Sequence, residues 1–258
     1  MLQKTRHRLQ VRTWAIVLLR LVMNRTVQTP RLDLDRIDPV RYRQTMAGRD
    51  SELKALKTLI RAIVAGDAPA AMRLLAVSPA LLSARVVDGA TRQAAREHFL
   101  DEIQHYVYAG DTALHVAAAA YQIEIVKKLV GLGSDVRAKN RRGAEPLHYA
   151  VDGGPGSPTW NPSAQAATVA LLIQAGADPN AVDKSGVTPL HRAVRTRCAA
   201  AVSALLDGGA DVRRTNKSGS TPMTLAIHNT GRSGSGSPEA KAQQAEIARL
   251  LQQHGATR

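Results

Sequence analysis

Gly110-Asp111-Thr112-Ala113-Leu114-His115-Val116-Ala117-Ala118 opens a pattern to which the chain returns at fixed intervals. After Thr112 come Leu114, His115 and Ala117, then Ile125, Val126 and Leu129, then Gly133 and Gly143. Counted from Thr188, the same places hold Leu190, His191, Ala193, Ala201, Val202, Leu205, Gly209 and Gly219. Glu145 opens a copy 33 residues after Thr112, and Thr221 opens one 33 residues after Thr188. The local chemistry of one copy is that of two helices. A threonine hydroxyl can accept a backbone N–H at a helix start, worth about 1 kcal/mol, and Pro146, Pro189 and Pro222 stand one residue later, where their fixed φ suits the first turn. The second apolar set predicts a helix over 123–132, which Gly133 ends by taking a left-handed conformation. Residues 135–142 then turn the chain into the next copy.

A period of about 33 residues with a Thr-Pro-Leu-His-like opening resembles the ankyrin repeat, over about residues 52–258. The resemblance implies an all-α repeat solenoid: about five helix-turn-helix repeats with short β-hairpin-like turns between them. The repeats fall at about 52–89, 110–142, 143–185, 186–218 and 219–258, with an insertion at 90–109 and a basic arm at 1–49. It also implies that His115, His148 and His191 hold the opening turns by hydrogen bonds. As periodic residues on stacked copies, these histidines are poor candidates for a shared metal ion.

The departures from the frame are as informative as the matches. The first copy, counted from Lys57, lacks the Thr-Pro-Leu-His opening and carries Lys54, Lys57 and Arg61, as a terminal repeat facing water should. Between it and Thr112 lie 22 residues beyond one period. There Phe99, Ile103, Tyr106 and Val107 are spaced as the apolar stripe of a short helix within 93–108, packing on the first two repeats. The third copy holds ten extra residues within 152–163, and the fifth thirteen around 231–237. Both fall between the two helices of a repeat, and so on the edge opposite the inter-repeat turns. Thr224 replaces the histidine in the last copy, and Gln252, Gln253 and His254 stand at formerly apolar places, marking a carboxyl-terminal cap.

The formal net charge is +14, which favours acidic partners without specifying a fold. Residues 1–49 hold eleven Lys/Arg against Asp33, Asp35 and Asp38. The apolar run at 14–23 is about half the roughly 20 residues a bilayer span needs, and Arg20 interrupts it. Leu2, Leu9, Ile16 and Met23 recur every seven residues, compatible with a basic amphipathic helix. The plainer expectations are a disordered cationic extension, or a biological start at Met46, just after which the well-patterned chain begins. One cysteine, Cys198, forms no internal disulfide, so a reducing cytoplasm is the expected setting.

No nucleophile, base and orienter assemble in the sequence, no paired carboxylates stand out, and no cofactor or metal motif is present. His98, Asp101, Glu102 and His105 would pair at helical spacing as surface ions. The glycine-serine stretch 231–237 lacks the Gly-Lys-Ser/Thr ending of a phosphate loop and reads as a linker, with Ser237-Pro238-Glu239 starting the final helix. Cys198 reads as a buried thiol. The resemblance therefore implies a non-catalytic, monomeric scaffold that needs no cofactor and binds another protein on its inter-repeat turns and concave helix face. Turn positions are Arg137, Lys139, Arg141, Arg142, Lys184, Arg213, Arg214 and Lys217; first-helix positions are Tyr149, Arg192 and Arg195. Their cationic character points to an acidic partner segment. The alternative is binding of nucleic acid or an anionic membrane through the arm and the basic turns, with few aromatics for base stacking.

Overall fold

The computed structural model describes residues 39–228 and 236–257. The heptad-spaced Leu2, Leu9, Ile16 and Met23, the run at 14–23 and most of the loop at 231–237 lie outside them. The repeats occupy the second of two compact units, residues 48–258. Helix α1 (Pro39–Val64) spans the boundary and begins upstream of Met46, so the helix expected over 52–64 is the end of a longer one.

Among the described residues five helix pairs follow one another. α1 pairs with α2 (Ala68–Val77), α3 (Ala113–Ala119) with α4 (Ile123–Gly131), and α5 (Pro146–Ala150) with α6 (Pro162–Gln174). α7 (Pro189–Thr196) pairs with α8 (Ala199–Asp207), and α9 (Pro222–Ile227) with α10 (Pro238–Gln253). From the second pair on, each first helix packs on the next first helix and each second helix on the next second helix, giving two parallel rows. Small residues permit this. Ala117, Ala118, Ala150, Ala193 and Ala201 are fully buried where rows meet, and Leu114, Leu129, Leu147, Leu172, Leu190 and Leu205 fill the seam between them. Burying a leucine is worth about 1.5–3 kcal/mol, so the seam, not the intrinsic stability of five- to nine-residue helices, holds the stack.

The ends of the elements obey the frame. Thr188 accepts the N–H of His191 and Thr221 that of Thr224, with proline next in each case. Ser237 caps α10 by accepting the N–H of Ala240 at 3.1 Å. Lys54, Lys57 and Arg61 on one end, and Gln252, Gln253 and His254 on the other, face water. The extra residues of the third repeat form the loop between α5 and α6, tied down by the Tyr121 hydroxyl, which donates to the Asp152 carbonyl, and by Thr196 Oγ1 donating to Val151 O at 2.9 Å. Gly153 has a φ of +121°, and a Cβ there would strike the Tyr121 oxygen. Among the described residues no helix is long and apolar enough to cross a membrane.

The insertion departs from expectation. In place of a helix over 93–108 the chain makes one short 3-10 turn, Arg96–His98, and an antiparallel hairpin of β1 (Phe99–Leu100) with β2 (His105–Tyr106). The apolar spacing that suggests one helix face also suits a hairpin, because Phe99 and Tyr106 meet across the strands with ring centroids 4.7 Å apart. Burial alternates through β2 and the residue after it, with His105 half-buried, Tyr106 exposed and Val107 buried, which is the period of a strand. The helical pairing of His98 with Glu102 and of Asp101 with His105 is thereby lost, and His105 reaches the third repeat.

Candidate functional site

The inter-repeat turns are built from a periodic polar residue. Asn140, Asp183 and Asn216 each stand five residues before a repeat start. Asn140 Oδ1 accepts the N–H groups of Arg142 and Ala144 at 2.8 and 3.1 Å, Asp183 Oδ1 those of Ser185 and Val187 at 2.8 and 3.1 Å, and Asn216 Oδ1 those of Ser218 and Ser220 at 2.9 and 3.1 Å. Successive turns are then laced by main-chain bonds: Arg141 N donates to Ala109 O at 2.7 Å, Lys184 N to Arg142 O at 2.9 Å and Lys217 N to Ser185 O at 3.0 Å. Such close passage requires Gly186, whose φ is +71° and whose added Cβ would lie 3.0 Å from Lys217 N.

Histidines lock the turns to the first helices. Nδ1 of His115, His148 and His191 accepts the backbone N–H of Thr112, Glu145 and Thr188 at 3.2, 3.2 and 3.3 Å. The single proton therefore sits on Nε2, which donates to Ala144 O, Val187 O and Ser220 O of the following repeat at 3.1, 3.1 and 3.0 Å. Burial disfavours a second proton and lowers all three pKa values, that of His148 to about 4.

A buried polar network runs beneath the turns. Asp111, with no exposed surface, accepts the Tyr149 hydroxyl at 2.8 Å, Asn140 Nδ2 at 2.8 Å and the Tyr108 N–H at 2.6 Å. Arg192 lies between two carboxylates, its Nη1 3.0 Å from Asp152 Oδ2 and its Nη2 3.2 Å from Asp183 Oδ2. Burial alone would raise the Asp152 pKa, but Arg192 and His105 outweigh it and hold the carboxyl at about 2. Burial likewise opposes ionisation of Asp183, and the Val187 and Ser185 N–H groups with Arg192 reverse the effect. Asp111 and Asp183 are thus turned inward and satisfied, Asp135 and Asp211 stay exposed, and Lys139, Arg141, Arg142, Lys184, Arg213, Arg214 and Lys217 outnumber those two on the exposed turns. The result is a cationic edge.

Two of the expected partner residues are not on it. Tyr149 is 2% exposed and Arg192 8%, both consumed by the network, and the first helices α3, α5 and most of α7 show almost no surface. Arg195 is half-buried. Arg137 is exposed and donates from Nε to Gly176 O at 2.9 Å. Arg141 and Arg142 are partly committed to the insertion: Arg141 Nη2 donates to Ala90 O at 2.5 Å, and Arg142 Nη1 to Tyr108 OH at 2.9 Å with its guanidinium 4.9 Å from that ring's centroid. The first-helix residues are therefore mostly buried from the second to the fourth repeat. The recurring Asn140, Asp183 and Asn216 were a signal available in the sequence; Asp111, Asp152 and His105 have no periodic counterpart.

Elsewhere, a groove of about 860 Å³ lined by Tyr121, Gln122, Ile123, Glu124, Ala167 and Leu171 lies along the second-helix row. Among the described residues no three His, Cys, Asp or Glu side chains gather as metal ligands. Cys198 is buried, and burial raises its thiol pKa.

Glu145 stands where Thr112, Thr188 and Thr221 stand in other repeats, 3% exposed, with Oε2 lacking a hydrogen-bond partner. Burial raises its pKa, with Lys139 Nζ 3.6 Å from Oε1 acting against the rise. Replacing the capping carboxylate, one of whose oxygens is buried and unsatisfied, by a capping threonine hydroxyl should stabilise. Glu145→Thr is expected to raise the unfolding free energy at pH 7 by about 1 kcal/mol, read as a higher urea midpoint at unchanged slope.

The family model for ankyrin repeats (three copies) matches residues 59–157 and 162–257, and the chain belongs to the ankyrin repeat family. Ankyrin repeats are protein–protein interaction modules, and the family is typically non-catalytic. Over 45 residues the chain is 47% identical to the Notch-regulated ankyrin repeat-containing protein A of Danio rerio, a match covering 17% of this chain and 40% of that protein's length.

Proposed function

We propose that the chain is a non-catalytic, monomeric cytoplasmic scaffold whose cationic turn edge binds an acidic segment of another protein. The observation that supports this most is the sorting of charge at the turns: the carboxylates of Asp111 and Asp183 are buried and satisfied, whereas the lysines and arginines beside them face water. A buried, compensated acid does not screen an incoming carboxylate, and an exposed lysine keeps its charge available. The site is Lys139, Arg141, Arg142, Lys184, Arg213, Arg214 and Lys217, with Arg137 and Arg195 flanking it.

The test uses the full chain and a fluorescent peptide of alternating glutamate and leucine, with a duplex oligonucleotide and phosphatidylserine vesicles as competitors. The peptide is expected to bind, and its affinity to fall as salt rises from 50 to 300 mM. Because Arg141 and Arg142 also hold the insertion, the cleaner variant is Lys184→Glu/Arg213→Glu/Arg214→Glu/Lys217→Glu. It should weaken peptide binding at least tenfold with an unchanged urea midpoint. Tighter binding of the oligonucleotide or the vesicles at equal salt, abolished by deleting residues 1–38, would replace this proposal with the nucleic-acid or membrane alternative.

A further inference from the structure

We propose that the insertion carries an aromatic shelf, Tyr106 flanked by Phe99 and Tyr108, that takes one apolar side chain of the acidic segment bound at the neighbouring turns. The inference rests on the reading of those turns as the partner surface and adds to it the residue that sets the partner's register.

Aromatic side chains are scarce in this chain, one Phe, two Trp and five Tyr, yet Phe99, Tyr106 and Tyr108 fall within ten residues. Tyr149 is buried and Trp160 packs against the core. Among the described side chains Tyr106 is the only aromatic left exposed, at 40%. Its ring centroid lies 4.7 Å from that of Phe99 and 6.5 Å from that of Tyr108, and the Arg142 guanidinium stands 4.9 Å from the Tyr108 centroid. A tyrosine half covered by other rings gains when an apolar side chain removes the rest of its contact with water.

The shelf is fixed before a partner arrives. Tyr108 N donates to Asp111 Oδ2 at 2.6 Å, Ala90 N to Val107 O at 2.8 Å and Val107 N to His98 O at 2.8 Å. Leu100 and Ile103 pack on the core from the far end of the hairpin. Binding therefore need not order the insertion.

The cationic turns alone leave the position of an acidic segment undefined. Arg141, Lys184 and Lys217 each follow the periodic Asn or Asp, so one turn attracts a carboxylate much as the next does. The shelf occurs once and breaks that equivalence. Because each turn is bonded on both sides, Arg141 N to Ala109 O and Lys184 N to Arg142 O, it contributes two strands to the ladder. At roughly 4.8 Å per strand the turns recur about every 10 Å, or about three residues of an extended partner. Arg142 lies within about one such step of Tyr106, through Tyr108, and Lys184 about one step further along the ladder. The fitting partner thus carries an apolar residue with acids about three and six residues from it.

Aromatics beside cations also suit single-stranded nucleic acid. The ring geometry favours a side chain instead. Neighbouring planes are inclined by 54° and 48°, so they offer no run of parallel faces to successive bases, and Arg142 already lies over the Tyr108 ring.

The test uses the full chain and serine-rich fluorescent peptides with glutamates three and six residues to either side of a central phenylalanine, which serves either chain direction. Replacing that phenylalanine by alanine is expected to weaken binding about tenfold in the wild type and in Tyr106→Phe, and less than about twofold in Tyr106→Ser. Moving the glutamates next to the phenylalanine should weaken binding about fivefold. In NMR the phenylalanine peptide, but not the alanine peptide, should shift the Tyr106 ring signals. Equal binding of the phenylalanine and alanine peptides, indifference to glutamate spacing, a full peptide difference in Tyr106→Ser with the wild-type Tyr106 ring unshifted, or tighter binding of oligothymidylate that is lost in Tyr106→Ser, overturns the proposal. The edge has a separate readout in Lys184→Glu/Arg213→Glu/Arg214→Glu/Lys217→Glu. If this variant weakens both peptides while they stay equal, the shelf alone fails; if a phenylalanine preference survives it at undiminished affinity, the edge reading alone fails.

Discussion

Arg192→Ala is expected to destabilise the repeat domain by about 3–5 kcal/mol, the cost of leaving buried charge uncompensated. The guanidinium bridges Asp152 at 3.0 Å and Asp183 at 3.2 Å, and no other cation reaches both carboxylates in the contacts described for them. Without it the Asp152 carboxyl, now held at about 2, loses the guanidinium that lies 3.0 Å away and must rise or draw in water. A loss of this size is a large share of the roughly 5–15 kcal/mol that typically separates folded from unfolded domains. Urea unfolding at pH 7 measures it. The companion variant Arg192→Met/Asp152→Asn/Asp183→Asn removes all three charges together and should recover more than half of the loss, because the penalty lies in the orphaned acids and not in the absence of the arginine. Equal destabilisation by the single and triple variants would show instead that packing of the arginine stem dominates.

The same cluster marks where the sequence stops being legible. Everything that repeats could be read: from the second repeat on, the threonine or glutamate that starts the first helix, the histidine three residues on in all but the last, the glycine that ends the second helix, and the two loops lengthening the third and fifth repeats. Repetition averages out local ambiguity, since one physical explanation must serve several copies. Asp152, Arg192, His105 and Tyr149 belong to single copies, and their meeting depends on a loop and an insertion whose course no period dictates. For the insertion the spacing of Phe99, Ile103 and Tyr106 satisfied both a helix face and a hairpin, and nothing local broke the tie. The outcome turned on long-range terms: the pairing of Ala90 with Val107 and the docking of His105 onto the third repeat. Tyr149 and Arg192 looked like partner contacts because first-helix residues in such stacks border the concave face. Here the insertion and the acids beneath the turns occupy that space, so the candidate surface contracts to the turn tips. Exposure of the cationic tips was foreseeable from composition, but the inward turning of Asp111 and Asp183 was not, because burial of a carboxylate depends on donors brought from other repeats.

Acidification is expected to unfold the stack well above the pH at which its aspartates titrate. His148 has a folded pKa of about 4 against an ordinary value of 6.5, because burial excludes a second proton. Above pH 6.5 the ring is neutral in both states and its contribution is complete. Between 6.5 and 4 the unfolded chain binds a proton that the native ring refuses, so stability falls as pH falls; below about 4 both states are protonated and the loss is finished. From the gap between the two values His148 alone gives up about 3 kcal/mol over that window, and His115 and His191 shift in the same direction. Asp152 and Asp183 are depressed below 3.8, so their contribution stays intact until the pH approaches that value and does not shape the window. Glu145 acts oppositely: its raised pKa lets the native state take up a proton before the unfolded chain does, which partly offsets the histidine slope near its lower end. Urea midpoints at pH 7, 6, 5 and 4.5 give the slope directly. In His148→Gln the amide still donates to the Val187 carbonyl but carries no titrating nitrogen, so the variant should start less stable at pH 7 and lose up to about 1.4 kcal/mol less per pH unit on the way down. Parallel curves for variant and wild type would mean that His148 accepts its second proton without leaving the fold, and that its Nε2 bond to Val187 O is not what joins the third repeat to the fourth.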